Sequence, residues 1–202
     1  MCGAQWIGFM NDPSVLPTIQ VSYPAWVAEV IDWNKHYETD EERMRLAIRV
    51  ARANVVEKTG GPFGAAVFES GSGRLVAVGM NLVVQNNNSV LHAEMVAFML
   101  AEARVGSYSL GAAGGAVHEL ATSCEPCAMC LGATLWSGVK RLLCGATRDD
   151  ALRINFDEGP VFPQSYAYLR DRGIEVVRQI AREEARAVLE LYRETSGVIY
   201  NG

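Results

Sequence analysis

Apolar residues recur along the chain first at helical spacing and then in short, almost unbroken runs. Pro13, Pro17 and Pro24 among scattered apolar side chains suit an extended arm over residues 1–23. From Pro24, the residues Trp26, Val27, Val30 and Ile31 keep helical spacing, which predicts a short helix ending near His36. Thr39-Asp40-Glu41-Glu42 has the pattern of a capping box and opens an amphipathic stretch. Met44, Ala47, Ile48, Ala51 and Val55 share one face there, while Arg43, Arg45, Arg49 and Arg52 fall mostly elsewhere and read as a solvated face. This helix is expected over 40–58, stopped by Gly60-Gly61-Pro62.

The period then changes. Phe63 to Phe68 and Leu75 to Val84 read as strands joined by the hairpin signal Ser70-Gly71-Ser72-Gly73. Asn86-Asn87-Asn88-Ser89 breaks the pattern ahead of a helix that carries His92 and Glu94 in its first turn and buries Met95, Phe98 and Met99. After a Gly- and Ser-rich loop over 106–115, Val117 to Thr122 is a third strand. Pro126 suits a first helical turn, so Cys127 and Cys130 share one face of a helix running through Trp136. Arg141 to Ala146 and Ile174 to Val177 are further strands, and Arg182 to Glu194 is a terminal helix before the apolar tail Val198-Ile199-Tyr200. This alternation implies a mixed five-stranded sheet between helices, a three-layer α/β/α sandwich. One domain is expected over 1–202: an arm over 1–23, a core over 24–180, and a C-terminal helix and tail over 181–202.

Bulk properties narrow the function classes. With 18 basic and 23 acidic residues the net charge is -5, which disfavours a nucleic-acid partner. No long apolar run or leader-like N-terminus stands out, so a cytoplasmic protein with no membrane partner is expected. Five cysteines, three of them crowded between Cys124 and Cys130, point to metal or spare thiols rather than disulfides.

His92, Cys127 and Cys130 offer one nitrogen and two sulfurs, the three-ligand set of a catalytic zinc with an open position. Glu94, two residues from a ligand, can lie beside a bound water as its acid and base without binding the metal. Cys-x-x-Cys alone is commonly a structural half-site or redox pair, but no second pair completes a closed site. Cys124 and Cys127 also form a Cys-x-x-Cys, so the choice of ligands rests on the Pro-Cys-x-x-Cys register. Cys2 and Cys144 read as spare thiols, and His36 and His118 as non-ligands.

Gly60-Gly61-Pro62-Phe63-Gly64-Ala65, Gly79-Met80-Asn81, His92-Ala93-Glu94 and the run Thr122 to Ala133 resemble bacterial guanine deaminases of the cytidine-deaminase fold. The likeness spans about residues 40–160, and the tail Gly197 to Asn201 adds to it. It implies zinc-dependent hydrolysis of guanine to xanthine and ammonia, with aminotriazines such as ammeline as further substrates. Guanosine, cytosine or tRNA adenosine deamination are the alternatives, and a non-catalytic zinc-stabilised binding module stands outside the class. The zinc motif is shared with tRNA adenosine deaminases, whereas a second carboxylate in Phe156-Asp157-Glu158-Gly159 is typical of the guanine enzymes. Glu158 is the candidate and Asp157 the reserve. The resemblance also implies base binding by Asn81, and it leaves Phe63, Trp136 and Phe156 as candidate aromatic walls. It further implies a homodimer whose C-terminal segments, here with Tyr200, can cross to close the partner's site.

Overall fold

The computed structural model describes residues 18–111, 115–195 and 197–201. The expected arm therefore lies mostly outside the described residues, as does Cys2. The helix predicted from Pro24 to His36 is a single turn, α1 (Val27–Val30), after which Ile31 is already extended. Tyr37 N–H donates to Gly73 O at 2.8 Å and His36 bridges Arg74, so this segment pairs with an open strand edge instead of continuing as helix.

Thr39 forms the predicted capping box. Its hydroxyl accepts from Glu42 N–H at 3.2 Å, while the Glu42 carboxylate accepts from Thr39 N–H at 3.4 Å. The box starts α2 (Asp40–Val56). β1 (Gly64–Glu69) and β2 (Arg74–Met80) form the hairpin. The second strand ends before Val84, because Val83–Asn86 is a short helix, α3. α4 (Ala93–Val105), β3 (His118–Cys124), α5 (Ala128–Ser137) and β4 (Arg141–Ala146) follow as expected. Two helices without a long apolar period intervene before the end, α6 (Arg148–Leu152) and α7 (Pro163–Asp171). β5 (Glu175–Val177) and α8 (Arg182–Glu194) complete the chain.

The sheet order is β2-β1-β3-β4-β5, with β1 antiparallel to both neighbours and β3, β4 and β5 parallel. Strand alternation divides the core into two layers. Ala66, Phe68, Val78 and Leu143 face α2 and α8, whereas Ala65, Val67, Leu120 and Leu142 face α4, α5 and α7. The fold is thus the expected three-layer sandwich around a mixed five-stranded sheet. No helix among the described residues is long and apolar enough to cross a membrane.

Two packing expectations change. α4 buries Ala93, Val96, Ala97 and Ala101 against the sheet, while Met99 is exposed. A Cβ on Gly79 would stand 2.0 Å from Ala93 O, so this glycine admits close approach of the small-residue face and turns the long methionines outward. Arg43 is also not a solvated arginine. It is 6% exposed and meets the fully buried Glu119 at 2.8 Å, and Arg141 meets the other Glu119 oxygen at 2.7 Å and Asp40 at 2.8 Å. This network ties the start of α2 to the amino ends of β3 and β4, opposite the site described next.

Candidate active site

β2, β3 and β4 all point their carboxyl ends to one edge of the sheet, the place where open α/β sheets form crevices. β2 releases Asn81 there and leads to the start of α4, and β3 runs into Pro126 and the start of α5. β4 leads through α6 to the loop 155–159. Phe63, just before β1, lies at the same edge, where Gly64 N–H donates to Ser123 Oγ at 3.0 Å.

His92 is the N-cap residue of α4 and Cys127 the N-cap residue of α5, with Cys130 in the first turn beyond. Pro126 therefore precedes the cap rather than opening the helix, because the extended Cys127 already starts the turn. Two helix N-termini thus face one point, where their dipoles favour thiolate. His92 Nδ1 lies 3.4 Å from Cys127 Sγ, and His92, Cys127 and Cys130 each bring a donor atom within 4.8 Å of the others. Donors on a tetrahedral zinc with bonds of about 2.0–2.3 Å stand roughly 3.5 Å apart, so this spacing fits the ion. The Cys127 thiol is pushed down to about 4, first by its hydrogen bond with Cys130 and then by His92, as a metal-binding thiolate requires. Cys124 lies apart, its thiol donating to Thr147 O at 3.6 Å. Cys144 is buried in the core within β4. His36 and His118 pair with the backbone oxygens of Ser72 and Leu110, both at 2.8 Å.

Glu94 and Glu158 line the same pocket and are 6% and 8% exposed. Thr122 Oγ1 donates to Glu94 Oε1 at 3.1 Å and fixes that carboxyl. Burial, followed by the negative charge of Cys127, raises the proton affinity of both acids, and Glu158 is pushed up to about 8. Glu158 sits in a loop held from two sides. Its carbonyl accepts from Ala128 N–H at 3.0 Å, and Asn201 Oδ1 accepts from Asp157 N–H at 2.9 Å. Asp157 is exposed, and its Oδ1 is engaged by Gly159 N–H at 2.9 Å in a local turn.

Asn81, Phe63, Phe156 and Tyr200 complete the walls. Phe156 meets the Phe63 ring at 5.0 Å and the Tyr200 ring at 4.9 Å, both edge-on. The described tail folds over its own chain's pocket, pinned where Asn201 Nδ2 donates to Asn155 O at 2.7 Å. Trp136 departs from the sequence reading: it is 82% exposed in the last turn of α5 and lines a different depression with Tyr168 and Arg172. The phase of α5 that aims Cys130 inward turns Trp136 out. Three residues were missed in the sequence. Glu125 and Asn201 line the pocket, and Thr122 holds Glu94; Glu125 stands inside the Cys124 to Cys130 cluster, where its position between two cysteines was the available signal.

A family model described as the cytidine and deoxycytidylate deaminase zinc-binding region matches residues 37–146. The guanine deaminase of Bacillus subtilis is 35% identical over 124 residues, covering 61% of this chain and 75% of that protein. A crystal structure of guanine deaminase from Nitrosomonas europaea is 40% identical, with a TM-score of 0.83 over 88% of this chain and 97% of that one. A related structure of a substituted form, in complex with 8-azaguanine, is 39% identical, with a TM-score of 0.83 over 93% of this chain and 100% of that one.

Proposed function

The chain belongs to the cytidine and deoxycytidylate deaminase family, and from that membership we propose that it hydrolyses guanine to xanthine and ammonia on one zinc ion held by His92, Cys127 and Cys130. Relatives named as guanine deaminases and a relative that holds 8-azaguanine support the choice of base. The observation that carries it is the second buried carboxylate. Glu158 lines the pocket, and among the described residues its carboxylate oxygens have no hydrogen-bond partner, so their capacity is left for the substrate. The reacting edge of guanine presents N1–H and the exocyclic amine, two donors that pair with a carboxylate. Adenine at that place would set an acceptor against an acceptor. Aminotriazines such as ammeline offer a similar edge and fit the same reading.

Zinc, when bound, makes water acidic enough to attack near neutral pH. Glu94 accepts the proton that water gives up and delivers it to the departing amine, and its buried setting suits a group that must hold a proton for part of the cycle. The water oxygen bonds to the ring carbon, the carbon–nitrogen bond breaks, and ammonia leaves. Asn81, 1% exposed, and the rings of Phe63 and Phe156 orient a flat base, while Tyr200 and Asn201 cover the entrance and exclude water. The reading includes one catalytic domain over the chain and a homodimer.

Glu158→Gln tests the substrate choice. The amide keeps the size but cannot carry a proton and accepts more weakly, so guanine turnover should fall severely while zinc content stays unchanged. Asp157→Asn should be milder, since its oxygen serves a turn. Full guanine activity in Glu158→Gln would remove the assignment.

A further inference from the structure

The pocket wall that holds Asn81 is set by one fully buried amide. Asn54, 0% exposed near the end of α2, donates through Nδ2 to Gly61 O and to Asn81 O, both at 2.9 Å. Its Oδ1 accepts from Thr59 Oγ1 at 2.7 Å, and Thr59 Oγ1 in turn accepts from the indole N–H of Trp26 at 2.9 Å. Five groups form one directed chain of bonds, from Trp26 through Thr59 and Asn54 to the carbonyls of Gly61 and Asn81, and the chain joins the 54–61 segment to two residues far from it in sequence. Such chains reinforce each other's polarisation in a dry interior.

The residue types are required. Two protons on one atom are needed for two carbonyls, so an aspartate would press an acceptor against acceptors, and an apolar side chain would leave both carbonyls unmet. Gly60 has no room for a side chain, because a Cβ there would stand 1.8 Å from Asn81 O and 2.6 Å from Asn54 Nδ2. Gly61, held by the same amide, is the residue on which the Tyr200 hydroxyl rests, since its Cβ would lie 2.0 Å from that oxygen. The hub therefore sets both the Asn81 wall and the seat of the tail. Trp26 brings in a segment that precedes residues 37–146, the stretch matched by the family model.

We propose that Asn54 is a positioning residue for substrate binding, holding Asn81 and the Tyr200 seat, and that Trp26 orients it through the Thr59 hydroxyl. This rests on the reading above that Asn81 contacts the base. Thr59→Val removes a hydroxyl that both donates and accepts while nearly keeping its shape, Trp26→Phe removes the indole N–H together with part of a buried ring, and Thr59→Ser keeps the hydroxyl.

The experiment compares these variants, Asn54→Asp, Asn81→Ala and the Thr59→Val/Asn81→Ala double variant in zinc-loaded full-length protein. It measures KM and kcat for guanine, the Kd of 8-azaguanine, zinc content and melting temperature. Thr59→Val and Trp26→Phe should raise KM and Kd by about threefold to tenfold, the effect of losing one or two buried hydrogen bonds, with kcat within about twofold. Thr59→Ser should restore both constants. Asn54→Asp should weaken binding further. Once Asn81 is Ala, Thr59→Val should have a smaller effect than in the parent, because part of its action passes through the Asn81 wall. A lowered melting temperature with unchanged KM and Kd would make the hub merely structural and overturn the proposal, as would effects of Thr59→Val and Asn81→Ala that multiply. If Asn81→Ala binds guanine normally, the reading of Asn81 fails and takes the proposal with it. If Asn81→Ala binds poorly but Thr59→Val and Trp26→Phe bind normally, the positioning role alone fails.

Discussion

Two carboxylates in one pocket are assigned different work by their neighbours. Glu94 is two residues from His92 and is fixed by the Thr122 hydroxyl, the setting in which the proposed mechanism has it take the water's proton. Glu158 comes from a separate loop and lines the same pocket, where the proposed reading has it pair with the base. Glu94→Gln should keep zinc and fold but lose about two to four orders of magnitude in turnover, read by steady-state kinetics on metal-loaded protein. Near-normal turnover would remove Glu94 from the chemistry. His92, Glu94, Cys127 and Cys130 were legible in the sequence because His-x-Glu and Pro-Cys-x-x-Cys each span less than two helical turns, whereas Glu158 rested on the family resemblance. Trp136 was not, since its direction depends on the phase with which α5 meets the sheet. Nor were Thr122 and Asn54, whose roles arise only when segments far apart in sequence meet.

Elements with a sustained period could be read to within a residue or two. α2, β4 and α8 follow their predicted spans because their apolar patterns run over several turns or a whole strand. α3, α6 and α7 escaped: each is set by caps or contacts rather than by periodicity. α6 is opened by Thr147, whose Oγ1 accepts from Asp150 N–H at 3.3 Å, and the Asp150 carboxylate accepts back from Thr147 N–H at 2.9 Å. Asp150, 1% exposed, also receives Arg182 from α8 at 2.8 and 3.0 Å, so one carboxylate caps α6 and docks α8. The Arg182 guanidinium holds that carboxyl well below the usual range. Because this pKa is lowered on folding, its stabilisation is complete above the ordinary aspartate value and is lost as pH falls through the folded one. Arg182→Met should lower stability near neutral pH, because it leaves the buried Asp150 carboxylate without its guanidinium partner. In urea unfolding the gap between variant and parent should narrow as pH drops below roughly 4. A gap independent of pH would separate Arg182 from Asp150.

For the molecule as a whole, the sheet topology brings Asn81, His92, Cys127 and Glu158 to one edge, and the charged network around Glu119 braces the other. Phe162, Tyr168 and Trp136 remain 58%, 51% and 82% exposed around α5 and α7, an apolar flank consistent with the proposed homodimer. Light scattering at micromolar concentration should return a dimer mass, and a monomer mass would contradict that part of the account. The net charge of -5 gives the chain no overall attraction toward a polynucleotide. The central claim is tested most directly by following free guanine, with adenosine-containing tRNA in parallel, for xanthine or inosine and for released ammonia in zinc-loaded protein. Stoichiometric xanthine and ammonia from guanine, with the tRNA unchanged, is the predicted result; inosine in the tRNA with guanine left intact would contradict it.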